Sequence, residues 1–128
     1  MEDRNGIVAG RVLVVEDEFL IAQMVKDMLA DLGCACVGPI VTLEEGIAAA
    51  TSVECDAAII NLVLQGRMAY AVVEELAMRN IPFCFASGVP QSRVDEKWRE
   101  RPFIRKPYVL REVREFLTEV LVTKAPVE

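Results

Sequence analysis

Residues 11–33 read RVLVVEDEFLIAQMVKDMLADLG. Two periods meet in this stretch. RVLVVE (11–16) is a continuous run rich in β-branched residues, the pattern of a strand buried on both faces. From Asp17 onward the apolar residues fall at Ile21, Met24, Val25, Met28, Leu29 and Leu32, one stripe of a helix. Gly33 suits the left-handed position that closes a helix. A buried strand leading straight into an amphipathic helix is the repeating unit of a parallel α/β sheet, and the rest of the chain repeats it.

CACVGPI (34–40) reads as a second strand, broken by Gly38-Pro39. Thr42, with Glu45 three residues on, makes a capping box for a helix that runs to about Thr51. DAAIIN (56–61) is a third strand. RMAYAVVEELAMRN (67–80) is a helix with Ala69, Val72, Val73, Leu76 and Ala77 on one stripe. IPFCFAS (81–87) is a fourth strand, with a proline at its start. PQSRVDEKWRE (90–100) is polar and reads as a short or poorly formed helix. PFIRK (102–106) is a fifth strand. YVLREVREFLTEVL (108–121) is the last helix, with Val109, Val113, Phe116, Leu117 and Val120 inward. Five strands alternating with five helices predict a doubly wound, five-stranded parallel sheet with helices on both faces and right-handed crossovers. Segments 1–9 and 123–128 carry no periodicity and are expected to be flexible tails around one domain at 10–122.

The composition narrows the function classes. A chain of 128 residues, 53% hydrophobic, is long and apolar enough to bury a core as one domain. A net charge of −6 argues against non-specific nucleic-acid binding, which needs a basic field. There is no histidine, which excludes Ser-His-Asp chemistry, histidine metal sites and a phosphohistidine relay within the chain. Cys34 and Cys36 form C-x-C rather than C-x-x-C, and all four cysteines, with Cys55 and Cys84, lie in or beside apolar stretches. No secretory signal precedes them and no apolar run is long enough to span a membrane, so reduced, mostly buried thiols in a cytoplasmic protein are expected. Nothing after residue 122 offers an element to read DNA, so output through protein contact in trans is expected.

In a doubly wound sheet the working site lies at the carboxyl ends of the strands, near a topological switch point. Those ends carry Glu16-Asp17-Glu18, Asn61, Ser87-Gly88 and Lys106-Pro107. Carboxylates without histidine or cysteine favour a hard cation such as Mg²⁺. A lysine and a hydroxyl beside them suit phosphoryl oxygens. The same residues also have plainer readings. An acidic first turn stabilises a helix N-terminus, a lysine is often solvated, and asparagine is a common turn residue. Pro107 allows a cis peptide after Lys106.

Taken together, these motifs resemble the receiver domain of bacterial two-component response regulators, over residues 10–122. VLVVEDE (12–18) is similar to the family's acidic pair, which falls on Glu16 and Asp17. DAAIIN aligns with a D-x-x-x-x-D run whose last aspartate accepts the phosphoryl group; that position is Asn61. FASG (85–88) places the switch hydroxyl at Ser87. FIRKP (103–107) places the lysine at Lys106 and the switch aromatic at Phe103. The stretch also resembles a variant branch with a Phe-Ala-Thr-Gly-x-Tyr motif, with Ser87 for its threonine and Val89-Pro90 where the tyrosine is missing. The resemblance implies a flavodoxin-like strand order 2-1-3-4-5 and no enzymatic activity. It implies metal ligands at Glu16, Asp17, Asn61 and the Val63 carbonyl. It implies a sensor histidine kinase or other signalling protein as partner, docking along the first helix at Phe19 and Leu20. Trp98 and Tyr108 flank the last strand on the side receivers use for output, and Trp98 suits core or rim.

Asn61 changes what that site does. An amide oxygen is a far weaker nucleophile than a carboxylate and yields no acyl phosphate by the same route. It also removes a negative charge, so Mg²⁺ is expected to bind weakly or not at all. The expected function is a single-domain receiver of a phosphorelay system acting as a phosphorylation-independent interaction module. The alternatives are an ordinary phospho-accepting receiver carrying an engineered Asp→Asn change, slow deamidation that restores an aspartate, and a flavodoxin-like binder of a small cofactor. The last is disfavoured because EDEFL (16–20) would repel a phosphate.

Overall fold

The computed structural model describes residues 10–122; both expected tails, 1–9 and 123–128, lie outside the described residues. The chain forms β1 (Arg11–Val15), α1 (Phe19–Asp31), β2 (Ala35–Ile40), α2 (Leu43–Ser52) and β3 (Ala57–Asn61). A short hairpin follows, β4 (Val63–Leu64) and β5 (Arg67–Met68), and then α3 (Tyr70–Met78). The fold closes with β6 (Phe83–Ser87), β7 (Phe103–Arg105) and α4 (Leu110–Val122). The main sheet is parallel, in the order β2-β1-β3-β6-β7, which is the doubly wound 2-1-3-4-5 arrangement.

β1, β3 and β6 are buried on both faces, which is why their sequences run apolar without alternation. Even so, alternate residues serve different cores. Leu13, Val15, Ala58, Ile60, Phe83 and Phe85 pack with Val72, Val73 and Leu76 of α3. Val12, Val14, Ala57, Ile59, Cys84 and Ala86 pack with Val25 and Leu29 of α1 and Val113, Phe116 and Leu117 of α4.

Thr42 caps α2 as expected, its hydroxyl accepting the Glu45 N–H at 3.1 Å. The break at Gly38-Pro39 is absorbed as an irregularity in an edge strand. Between Leu13↔Val37 and Val15↔Ile40, β2 carries one residue more than β1. Gly38 has φ +110, and a Cβ there would stand 2.7 Å from the Ile40 nitrogen, so glycine is required.

The structure corrects three expectations. There are four α-helices among the described residues, not five, because residues 91–93 and 96–98 form separate 3-10 turns. Arg67 and Met68 belong to a hairpin rather than to the third helix. Gln65 and Gly66 take positive φ, 50 and 83, and turn β4 onto β5. Val109 is exposed and precedes α4, whose inward stripe continues to Leu121 instead.

Candidate functional site

β1 and β3 are neighbours, and the helices that follow them, α1 and α3, pack on opposite faces of the sheet, so a crevice opens at their carboxyl ends. The crevice is a cleft of about 500 Å³ lined by Asp17, Glu18, Asn61, Val63, Gln65, Gly66, Ser87, Gly88, Val89 and Lys106. Five of the residues expected at the site, from the ends of β1, β3, β6 and β7 and from β4, thus line one cleft.

Glu16 is the exception. It is fully buried beneath the cleft and is not among its lining residues, although it contacts two of them, Asn61 and Lys106. Its Oε1 lies 2.8 Å from Lys106 Nζ, a buried ion pair. Its Oε2 accepts the Glu18 N–H at 3.2 Å and the Asn61 carboxamide at 3.1 Å. Burial pushes the Glu16 carboxyl above its ordinary range, against the pull of Lys106 and the Glu18 N–H.

Asn61 is 6% exposed, and its Nδ2 group makes a second bond, to Asp17 Oδ1 at 2.9 Å. Carboxylates only accept, so the amide must turn its nitrogen towards them. The other Asp17 oxygen accepts the Gln65 main-chain N–H at 2.9 Å, from the hairpin turn. On the far wall Ser87 Oγ accepts the Val89 N–H at 3.1 Å, while the Lys106 N–H bonds the Ser87 carbonyl at 2.8 Å and ties β7 to β6. The Lys106–Pro107 peptide is cis.

Three participants escape the sequence reading: the main-chain N–H groups of Glu18, Gln65 and Val89. A backbone donor leaves no mark in residue type. Only Gly66, beside Gln65, hints at the turn that delivers one of them.

Away from the cleft, Phe103 is half-buried against the core beside Phe85, and Trp98 is core. Phe19 and Leu20 are both exposed, at 75% and 78%, at the start of α1. Tyr108 is buried, with no partner for its hydroxyl among the described residues, and burial raises its pKa.

No family model matches the chain, and no curated protein matches it. Solved structures do. The response regulator PhyR from Brucella abortus is 28% identical, covering 92% of this chain and 50% of its own, at a TM-score of 0.79. SdrG from Sphingomonas melonis Fr1 is 38% identical, covering 87% of this chain and 95% of its own, at a TM-score of 0.77. This chain belongs to the response regulator receiver family. The receiver spans about half the length of PhyR. The receiver domain of sensor histidine kinase PA1611 from Pseudomonas aeruginosa PAO1, described with a magnesium ion in its active site cleft, shares the fold at 18% identity. It covers 89% of this chain and 98% of its own, at a TM-score of 0.72.

In the present receiver the side chains expected to hold a metal, Glu16, Asp17 and Asn61, do not fit a divalent cation as they are arranged. Glu16 is engaged at both oxygens, Asp17 is engaged at both, and Asn61 turns donors rather than an oxygen towards them. A hard cation needs carboxylate oxygens free on a common side. No group of three acidic or cysteine side chains converges as a metal site among the described residues. The four cysteines form no disulfide with one another, Cys34 and Cys84 being buried and Cys36 and Cys55 half-buried, and no helix among the described residues is long and apolar enough to cross a membrane.

Proposed function

We propose that this receiver takes no phosphoryl group at position 61 and signals through protein contact alone, without enzymatic activity. One observation carries the reading: the acceptor position holds an amide whose donors are bonded to both neighbouring carboxylates. Phosphoryl transfer would need a carboxylate oxygen there to form the new P–O bond as the donor's bond breaks. The residues expected to bind a phosphoryl group, Ser87 and Lys106, line the cleft, and Phe103 is the residue expected to act as the aromatic switch. They now frame a cleft in one fixed charge state instead of one altered by about −1.5 to −2 charges.

The partner is a signalling protein in trans, a sensor histidine kinase being the first candidate. Its docking surface is the exposed Phe19 and Leu20 pair, two large apolar side chains side by side in water. The protein works in the bacterial cytoplasm and contacts neither nucleic acid nor membrane, in keeping with its charge of −6.

Asn61→Asp tests the reading. With Mg²⁺ and a small-molecule phosphoryl donor, intact-mass measurement is expected to show one acid-stable, hydroxylamine-labile phosphoryl group on the variant and none on the parent. A labelled parent, mapped to residue 61 or elsewhere, would overturn the proposal.

A further inference from the structure

Resting on the reading of Asn61 as the former acceptor position, we infer that the Asn61 carboxamide does the work of a divalent cation, joining Glu16 to Asp17 so that the acidic edge closes without metal. Two carboxylates whose oxygens meet at one point need something positive between them. Here that point is the Asn61 nitrogen, 3.1 Å from Glu16 Oε2 and 2.9 Å from Asp17 Oδ1. Its two hydrogens serve the two acids, one each, as the two contacts of a bridging ion would.

The surroundings hold this link in place. Glu16 is fully buried and Asn61 nearly so, which leaves little water to screen the acids from each other. Lys106 neutralises one acid from the opposite side of Glu16, and the Gln65 N–H steadies Asp17 from the hairpin turn. The cluster therefore carries one net negative charge, with each of the four carboxylate oxygens met by a donor or a cation.

An aspartate at position 61 has almost the same shape and the opposite electrostatics. It would set a third anionic oxygen about 3 Å from the other two, an arrangement that requires a cation or a shared proton. The native chain is thus expected to be indifferent to Mg²⁺, and the aspartate variant dependent on it.

Thermal unfolding of the parent, Asn61→Asp and Asn61→Ala, with and without millimolar Mg²⁺ at matched ionic strength, tests this. The parent midpoint is expected to stay within about 1 °C on adding Mg²⁺. Without the ion, both variants are expected to melt about 5 °C or more below the parent, an ordinary response to losing one such link in a domain of this size. Mg²⁺ is expected to restore most of the loss in Asn61→Asp. A parent that gains as much from Mg²⁺ as Asn61→Asp does would overturn the inference. So would an Asn61→Ala variant as stable as the parent without metal, a result that decides the matter even if the aspartate variant fails to fold. Failure of the functional proposal would appear instead as a phosphoryl mass on the parent, which melting does not read.

Discussion

The two faces of the sheet are covered by different means. Over one face lie α1 and α4, regular helices of thirteen residues that each present a continuous apolar stripe. Over the other lie α2 and α3, and beyond them, where a further helix is expected, only the two 3-10 turns of residues 91–98. There Trp98, with the smaller Val94, provides the cover. Trp98 is 5% exposed and meets the Phe83 ring edge-on at 5.9 Å, and the Arg101 guanidinium lies over both rings at 4.8 and 5.2 Å. Polar anchors hold the irregular chain down. The Asp95 N–H bonds Tyr70 Oη at 2.9 Å, and Arg99 Nε bonds the Val94 carbonyl at 2.9 Å. A helix spreads its stabilisation over a stripe, whereas this segment concentrates it in two side chains, Val94 and the much larger Trp98.

The sharpest way to break that comparison is Trp98→Ala. It is expected to cost about 3–5 kcal/mol in chemical denaturation, the range for emptying a buried aromatic site. Leu117→Ala on the helical face is expected to cost less, about 2–4 kcal/mol, because the neighbouring stripe residues remain. A Trp98→Ala loss below about 1 kcal/mol would mean that residues 89–101 form a loose flap and that the concentration of stability is illusory.

A smaller effect reads the dryness of the helical face. Cys84 is fully buried there, and desolvation holds its thiol far above the ordinary value of 9.0. Its folded-state pKa is raised, so its contribution is complete below pH 9 and is lost above it. The unfolded chain then ionises while the folded one stays protonated, and stability falls with rising pH by up to about 1.4 kcal/mol per pH unit for one such group. Denaturation curves at pH 8 and 10 are expected to show the fall, and Cys84→Ala to reduce it. Equal slopes in the two proteins would place the thiol in a wetter environment than its burial indicates. In the same experiment, alkylation of native protein is expected to reach the half-buried Cys36 and Cys55 well before Cys84.

The smallest effect concerns Tyr108, whose hydroxyl is buried beside Glu16 and Cys84 with no partner among the described residues. Tyr108→Phe removes that polar atom and keeps the ring. Stability is expected to change by less than about 1 kcal/mol, in the favourable direction, since no hydrogen bond is lost. A loss of more than about 1.5 kcal/mol would reveal a partner for the hydroxyl, such as bound water, and a wetter helical face.

The alternation of strand and helix was legible in the residues themselves, because burial imposes its period on consecutive positions. The runs at 12–15 and 57–60 and the stripes at 21–32 and 113–117 each carry their own evidence. So do the Thr42 cap and the polar groups at the strand ends, where Asn61 stands at the position expected of the acceptor. What local pattern could not carry was decided by chain segments meeting in space. The second strand of the hairpin, Arg67–Met68, reads as the start of a helix, because both residues are as much at home in one as in the other. Trp98 offers no period at all, and its burial depends on Phe83 and Arg101 arriving from other parts of the chain. The link that closes the acidic edge joins Asn61 to Glu16 and Asp17, residues 45 and 44 positions away. Residue types name the groups at such a site. Whether Asn61 turns its donors or its oxygen towards the acids depends on the charge that folding brings beside it.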